Sequence, residues 1–281
     1  MVQRLIALLT IACVSVVGFT TSHAQESYSL QYKFEKGRVY RFGDTITVNS
    51  TTEMMGQEMK STSSTLSVTR VVATDVQSDG TTVFVVSTDT MNVAIKSSRG
   101  DTTLVPHEML GKRTRFAVTK LGDVTNRETI DTVKVVGVMR TMGRRETIRF
   151  HAFSAKPVKV GGKWTSTRSD TSDQMGGKMV LAWTMDYTLL AKEKRSGRDC
   201  LKVGYTGKVS VTGKGSMQGM EIFVEGSGTV NGTVFIDPSN GLPLFEDSKA
   251  EMETTAAVTG QQNMTIPSSQ SVTTHRALLA E

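Results

Sequence analysis

Cysteine is nearly absent: the 281 residues carry two. Cys13 lies in an N-terminal apolar run, so a processed chain would keep Cys200 alone and could form no internal disulfide. Its stability must then come from a packed core. Five prolines exclude a proline-rich linker protein. Aromatic residues make up 6% of the chain, without the interleaving with basic residues that single-stranded nucleic acid requires. Neither charge sign dominates: 33 Lys and Arg stand against 27 Asp and Glu, net +6, with the signs interspersed. The densest basic stretches are Arg140, Arg144, Arg145 and Arg149, and Lys112, Arg113 and Arg115. They read as solvated faces, and no nucleic-acid partner is expected. Past residue 19 no apolar run is long enough to span a bilayer as a helix, so no transmembrane segment is expected after processing.

The N-terminus carries an export signal pattern. Arg4 precedes an uncharged apolar run over 5–19, and Ser22-His23-Ala24 offers small residues before a cut. Residues 1–24 are therefore expected to be a signal peptide, with the mature chain starting at Gln25 in the periplasm or outside the cell. Lipidation at Cys13 is the rival. Thr10-Ile11-Ala12 lacks the Leu-like residue usual three positions before a lipidated cysteine, and cleavage there would leave an apolar mature N-terminus.

The remaining pattern has period two. Tyr28, Leu30, Tyr32 and Phe34 alternate with polar residues, as do Trp183, Met185, Tyr187 and Leu189, and Leu201, Val203, Tyr205, Val209 and Val211. Such alternation puts one side on a core and the other in water, the habit of antiparallel sheets. Turn signals punctuate the runs at Gly37, Gly80, Gly122, Ser196-Gly197 and Asn240-Gly241. The best helical candidate, 128–142, spaces Ile130, Val133, Val136 and Met139 three apart but is rich in Val and contains Gly137. The expected fold is all-β and antiparallel.

An internal repeat organises the chain. Tyr40 and Trp164 each follow a glycine turn, 124 residues apart; Met55-Gly56 and Met59 recur as Met175-Gly176 and Met179; Gly80 recurs at Gly197; Phe116 and Gly122 recur as Phe235 and Gly241. Two similar halves, 25–150 and 151–281, are expected, each of roughly 120 residues, completing an extended sheet, sandwich or partial barrel. Phe116 and Phe235 are expected to superpose, and Tyr40 and Trp164 to be substantially buried.

These motifs carry a resemblance. Tyr-x-Phe-x-Lys-Gly-x-x-Tyr at 32–40, Met55-Gly56-Gln57, and Lys-Pro-Val-Lys-Val-Gly-Gly-Lys-Trp at 156–164 resemble an uncharacterised family of exported bacterial two-repeat β proteins. The resemblance implies location and architecture and no activity.

Catalytic signals are missing. His107, His151 and His275 share no metal-ligand spacing, and no His-Glu-x-x-His, Gly-x-Ser-x-Gly or P-loop occurs. The acids sit mainly at turns and at solvent-facing positions of the alternation. No catalytic residue, metal or cofactor is expected. Cys200 reads as a small buried hydrophobe. One constellation is a candidate contact surface: Met55 and Met59 at one hairpin, Met175 and Met179 at its repeat partner, and Met217 and Met220 as a third cluster; Trp164 joins it on the rival reading that it rims a ligand mouth. Residues four apart on a strand share a side, so Met55 and Met59 are expected to point together. Thioethers suit Cu(I), but no His or Cys reinforces them; gap-filling or adaptable apolar contact is the stronger reading. The expected function is non-enzymatic binding of an apolar or amphipathic ligand, or of an envelope protein. A structural envelope component and a hydrolase with a dispersed acid pair are the alternatives.

Overall fold

The computed structural model describes residues 26–98, 100–132, 150–174, 176–217, 220–260 and 263–279. The expected signal segment, Met175, the basic cluster from Arg140 to Arg149 and most of the helical candidate lie outside the described residues. The chain is all-β and antiparallel. Its strands are β1 (Ser27–Tyr28), β2 (Val39–Met54), β3 (Gln57–Val76), β4 (Thr82–Ser97), β5 (Gly100–Leu104), β6 (Thr114–Val118), β7 (Val124–Thr129), β8 (Val158–Lys159), β9 (Lys163–Gln174), β10 (Gly177–Arg195), β11 (Arg198–Met217), β12 (Met220–Ile236), β13 (Pro243–Thr259) and β14 (Met264–Leu278). Among the described residues a single 3-10 turn, His107–Met109, interrupts them.

Twelve strands form one sheet in the order β7-β6-β4-β3-β2-β14-β13-β12-β11-β10-β9, with β5 hanging on β4; β1 and β8 pair with each other. Two of the turns between long strands are tight two-residue hairpins. Met55 and Gly56, and Ser196 and Gly197, adopt positive φ at both central positions, the primed turn whose twist matches the flanking strands. The first turn also corrects the Met55–Met59 expectation. Met55 lies in the turn and is 80% exposed, so the four-residue spacing does not run along a strand.

The sheet curls into a partial barrel. Its two edges are bridged by side chains: Arg168 on β9 donates from Nη2 to Oδ1 of Asp123, in the turn just before β7, at 2.9 Å, and Arg127 on β7 lies 3.9 Å from Asp170 on β9. Among the described residues no backbone ladder joins β7 to β9.

Curvature has a local cause on β11 and β12. Their core-facing positions alternate glycine with a larger residue: Tyr205 opposite Gly232, Gly207 opposite Val230, Val209 opposite Gly228, Val211 opposite Gly226, Gly213 opposite Val224, and Gly215 opposite Ile222. The missing side chains let neighbours lie across the strand. The Met185 sulfur rests on Gly207, the Met179 sulfur on Gly213 and the Tyr205 ring on Gly232, the geometry that lets a sheet coil tightly.

One end of the partial barrel is filled by two extended segments. The first carries Leu30, Tyr32 and Phe34; the second carries Phe150, Ala152 and Phe153. The alternation at Tyr28, Leu30, Tyr32 and Phe34 predicts a strand, but only Ser27–Tyr28 pairs; the remainder is a plug with one buried side. Tyr32 stacks on Phe153 at 4.5 Å, Phe34 meets Phe84 edge-on at 4.7 Å, and Phe150 stacks on Phe84 at 5.6 Å. Two turn glycines let the plug approach. A side chain on Gly122 would strike the His151 carbonyl, and one on Gly241 would strike the Gln31 carbonyl.

Tyr40 is buried at 9% exposure. Trp164 is half-buried: it stacks on Tyr187 at 5.3 Å and donates from Nε1 to Ala152 O at 2.8 Å. Cys200 is fully buried in a smaller cluster with Phe235 and Leu244 on the other side of the sheet, where the Arg195 guanidinium covers Phe235 at 4.0 Å. Phe116 belongs to the main core, so it and Phe235 sit on opposite faces. The ladders place Ile236 opposite Leu201 as Phe116 sits opposite Phe84.

Candidate functional site

A row of buried charges crosses the sheet just beside the plug. Asp44 on β2, Arg276 on β14 and Glu246 on β13 are direct cross-strand neighbours, exposed by 3%, 8% and 3%. Arg276 Nε donates to Asp44 Oδ1 at 2.6 Å, and the Tyr205 hydroxyl donates to Glu246 Oε1 at 2.6 Å. From the plug, His151 Nε2 comes within 3.4 Å of Glu246 Oε1, and its backbone N–H donates to the Tyr32 hydroxyl at 3.0 Å. Burial opposes ionisation of Glu246, yet His151, Arg276 and Tyr205 outweigh it and hold the carboxyl well below the usual range. For Asp44 burial dominates and raises the pKa, with Arg276 opposing. Desolvation pushes the Tyr32 phenol far above its ordinary value.

This row corrects the expectation that the acids lie at turns and in solvent. Asp44 is in phase with the buried Tyr40, Phe42 and Val48, and Glu246 with the core-facing Ala250 and Met252. Ionisable residues in phase with apolar ones were the available signal. The two carboxylates do not face each other across a cleft. They lie on β2 and β13 with Arg276 on β14 between them, an arrangement that neutralises charge and ties plug to sheet.

The predicted contact residues are not brought together. Met59 pairs with Thr52 near the β2–β3 turn. Met179 lies on β10 opposite Gly213. Trp164 pairs with Tyr187 at the plug end, eight residues along β10 from Met179, or about 26 Å at strand rise. Met175 lies outside the described residues. No group of three or more His, Cys, Asp or Glu side chains able to hold a metal occurs among the described residues. Arg113 and Arg115, from the second basic stretch, are paired with Asp131 and Glu128.

The face away from the core is polar along most strands. On β11 it carries Lys202, Thr206, Lys208, Ser210, Thr212 and Lys214. A lipid-facing barrel wall needs an apolar band there. No helix among the described residues is long and apolar enough to cross a membrane.

Two depressions mark the surface. One, of about 870 Å³, is a shallow groove across seven strands, with Asn49, Lys208, Glu251 and Glu253 among its lining residues. The other, of about 630 Å³, is formed by β2, β3, β4, β14 and the residues around the 3-10 turn. Its lining includes Leu66, Val68, Met91, Val105, Leu110 and Leu279. Leu66 is 57% exposed, Val105 40% and Leu279 38%. Gly43 makes room for it, because the Leu279 side chain lies over the bare glycine at 3.1 Å from where a Cβ would stand.

No protein-family model and no curated protein matches the chain. Among solved structures the chain is similar to an outer membrane channel from Pseudomonas putida F1, at 12% identity and a TM-score of 0.28, covering 88% of this chain and 97% of that one. It is also similar to OccK2 (OpdF) of Pseudomonas aeruginosa, at 7% identity and a TM-score of 0.23, covering 86% and 98%. At those TM-scores the likeness is too distant to speak to function.

Proposed function

We propose that the chain is an exported, non-enzymatic envelope protein that binds an apolar or amphipathic ligand or an envelope partner. The observation that carries this reading is the 630 Å³ apolar depression on an otherwise polar face. Contiguous exposed apolar surface with a polar rim marks binding sites, and the volume falls within the roughly 300–1,000 Å³ range of ligand pockets. Non-enzymatic action is supported by the buried Asp44–Arg276–Glu246 row, which uses its carboxylates to balance charge in the core.

Native mass spectrometry of protein purified from its own envelope tests the reading. A retained amphiphile or partner is expected. The bare chain mass alone, with no binding of added amphiphile, would overturn it.

The rival is a structural envelope component without a small ligand. It is favoured by the filled plug end, where Tyr32, Phe150 and Phe153 occupy the interior. A two-repeat organisation is supported by the plug contacts: Gly122 meets the carbonyl of His151 and Gly241 that of Gln31, pairs related by nearly the same offset. Export is supported by the leader pattern before Gln25.

A further inference from the structure

Resting on the binding reading, we infer that the apolar depression takes a single-chain anionic amphiphile, with its hydrocarbon over Leu66 and Val68 and its carboxylate on Arg70. Arg41 and Arg70 are direct cross-strand partners on β2 and β3. They lie two residues along each strand from Gly43 and Val68, which pair with each other and line the depression. Alternation puts both arginines on the same face as that pair, at one end of the apolar surface.

Like charges directly opposite each other destabilise a ladder, so this juxtaposition calls for counter-charge. Asp89, at a bulge in β4, supplies part of it, approaching Arg41 at 3.5 Å. Arg70 makes no ion pair among the described residues. A second anion is the missing partner, and the adjoining surface fixes what should be attached to it. Leu66, Val68, Val105, Leu110 and Leu279 present hydrocarbon with no charged side chain among the lining residues except Asp44, whose carboxylate is turned to the core and bound by Arg276. An inorganic anion would satisfy Arg70 and leave the apolar surface wet. A neutral hydrocarbon would cover the surface and leave Arg70 unpaired. An acyl chain with a terminal carboxylate does both.

Dansyl-undecanoate and its uncharged alcohol analogue, titrated by fluorescence against the full mature chain, test the assignment. Wild type is expected to bind both saturably and the carboxylate more tightly. Arg70→Gln should weaken the carboxylate probe about tenfold, the loss of one charge-assisted contact, and leave the alcohol unchanged. Leu66→Glu should weaken both probes, with Leu66→Asn in its place should the first variant fail to fold. If wild type binds and the variants bind equally well, this site is wrong and the broader binding reading survives. Equal weakening of both probes by Arg70→Gln overturns the carboxylate assignment. No saturable binding to wild type overturns this site and the ligand reading together.

Discussion

Arg276 and Asp44 stand 232 positions apart in the chain and are joined by a 2.6 Å hydrogen bond where β14 meets β2. Both are buried, and Glu246 lies on the other side of the arginine. Removing one partner of a buried pair leaves an uncompensated charge, so Arg276→Met should lower stability by about 3–5 kcal/mol at neutral pH. Burial already raises the Asp44 pKa, and without Arg276 it should rise further. A raised carboxyl pKa contributes stability that is present at low pH and lost as pH rises through it. The variant should therefore recover part of its deficit between pH 7 and pH 5. Urea unfolding at both values checks this; a pH-independent deficit would contradict it.

Glu246 has the opposite sign. Its folded-state pKa is depressed, so its contribution is present above the ordinary glutamate value of about 4.3 and lost only as pH falls below it. Glu246→Gln should show its largest drop in melting temperature at neutral pH. The gap to wild type should persist at pH 5 and close only in strong acid. A gap that has vanished by pH 5 would show that the carboxylate is not held by His151, Arg276 and Tyr205.

Trp164 contributes a stacked ring and a hydrogen bond to the plug. Trp164→Ala should destabilise by about 3 kcal/mol, the lower end for a buried aromatic, since the residue is half-buried. Trp164→Phe should keep the stack on Tyr187 and lose only the bond to Ala152 O, about 1 kcal/mol. Melting curves separate the two. An alanine variant that melts with wild type would leave Trp164 no structural role.

Glycine positions should differ by what surrounds them. A Cβ on Gly228 would fall on the Glu251 carbonyl oxygen, which is backbone and cannot turn away. Gly228→Ala should cost about 1–3 kcal/mol. At Gly43 the three nearest atoms all belong to the flexible Leu279 side chain, and Gly43→Ala should stay within about 0.5 kcal/mol of wild type. Equal effects would argue against the coiling role of the β11–β12 glycines.

Period-two alternation showed the all-β class and the long core-facing sides of β10 and β11, because one-sided burial leaves its mark directly in the residue order. The same signal misassigned the segment at Tyr32 and Phe34. Alternation reports an extended chain with one buried side; it does not report whether that chain joins a ladder. Phe116 and Phe235 show a second limit. The turn carrying Gly241 is closed by Asp237 and Leu242, and that carrying Gly122 by Thr119 and Asp123. The extra residue shifts the register by one and turns Phe235 to the opposite face.

The candidate site was less legible. Arg41 and Arg70 are 29 positions apart, and only the β2–β3 register makes them neighbours. Leu66 and Leu279 line one depression because β14 docks beside β2, a long-range pairing that no local pattern encodes. The methionines stood out by type and spacing, but Met55 falls in the turn itself and Trp164 belongs to the far end of the sheet.

The pairing of β14 with β2 also sets an order of events in folding. Until residues 264–278 have emerged, β2 presents an open edge of sixteen residues, and β13 another. The β13 edge is met by β14, the next strand, but the β2 edge has to wait for that same strand, far along the chain. Closure is therefore a late, long-range step, of the kind that makes β-rich chains slow to fold and prone to aggregate meanwhile. A chain delivered N-terminus first would spend that interval with two adhesive edges exposed, so its half-life before closure, more than its final stability, should limit the yield of folded protein.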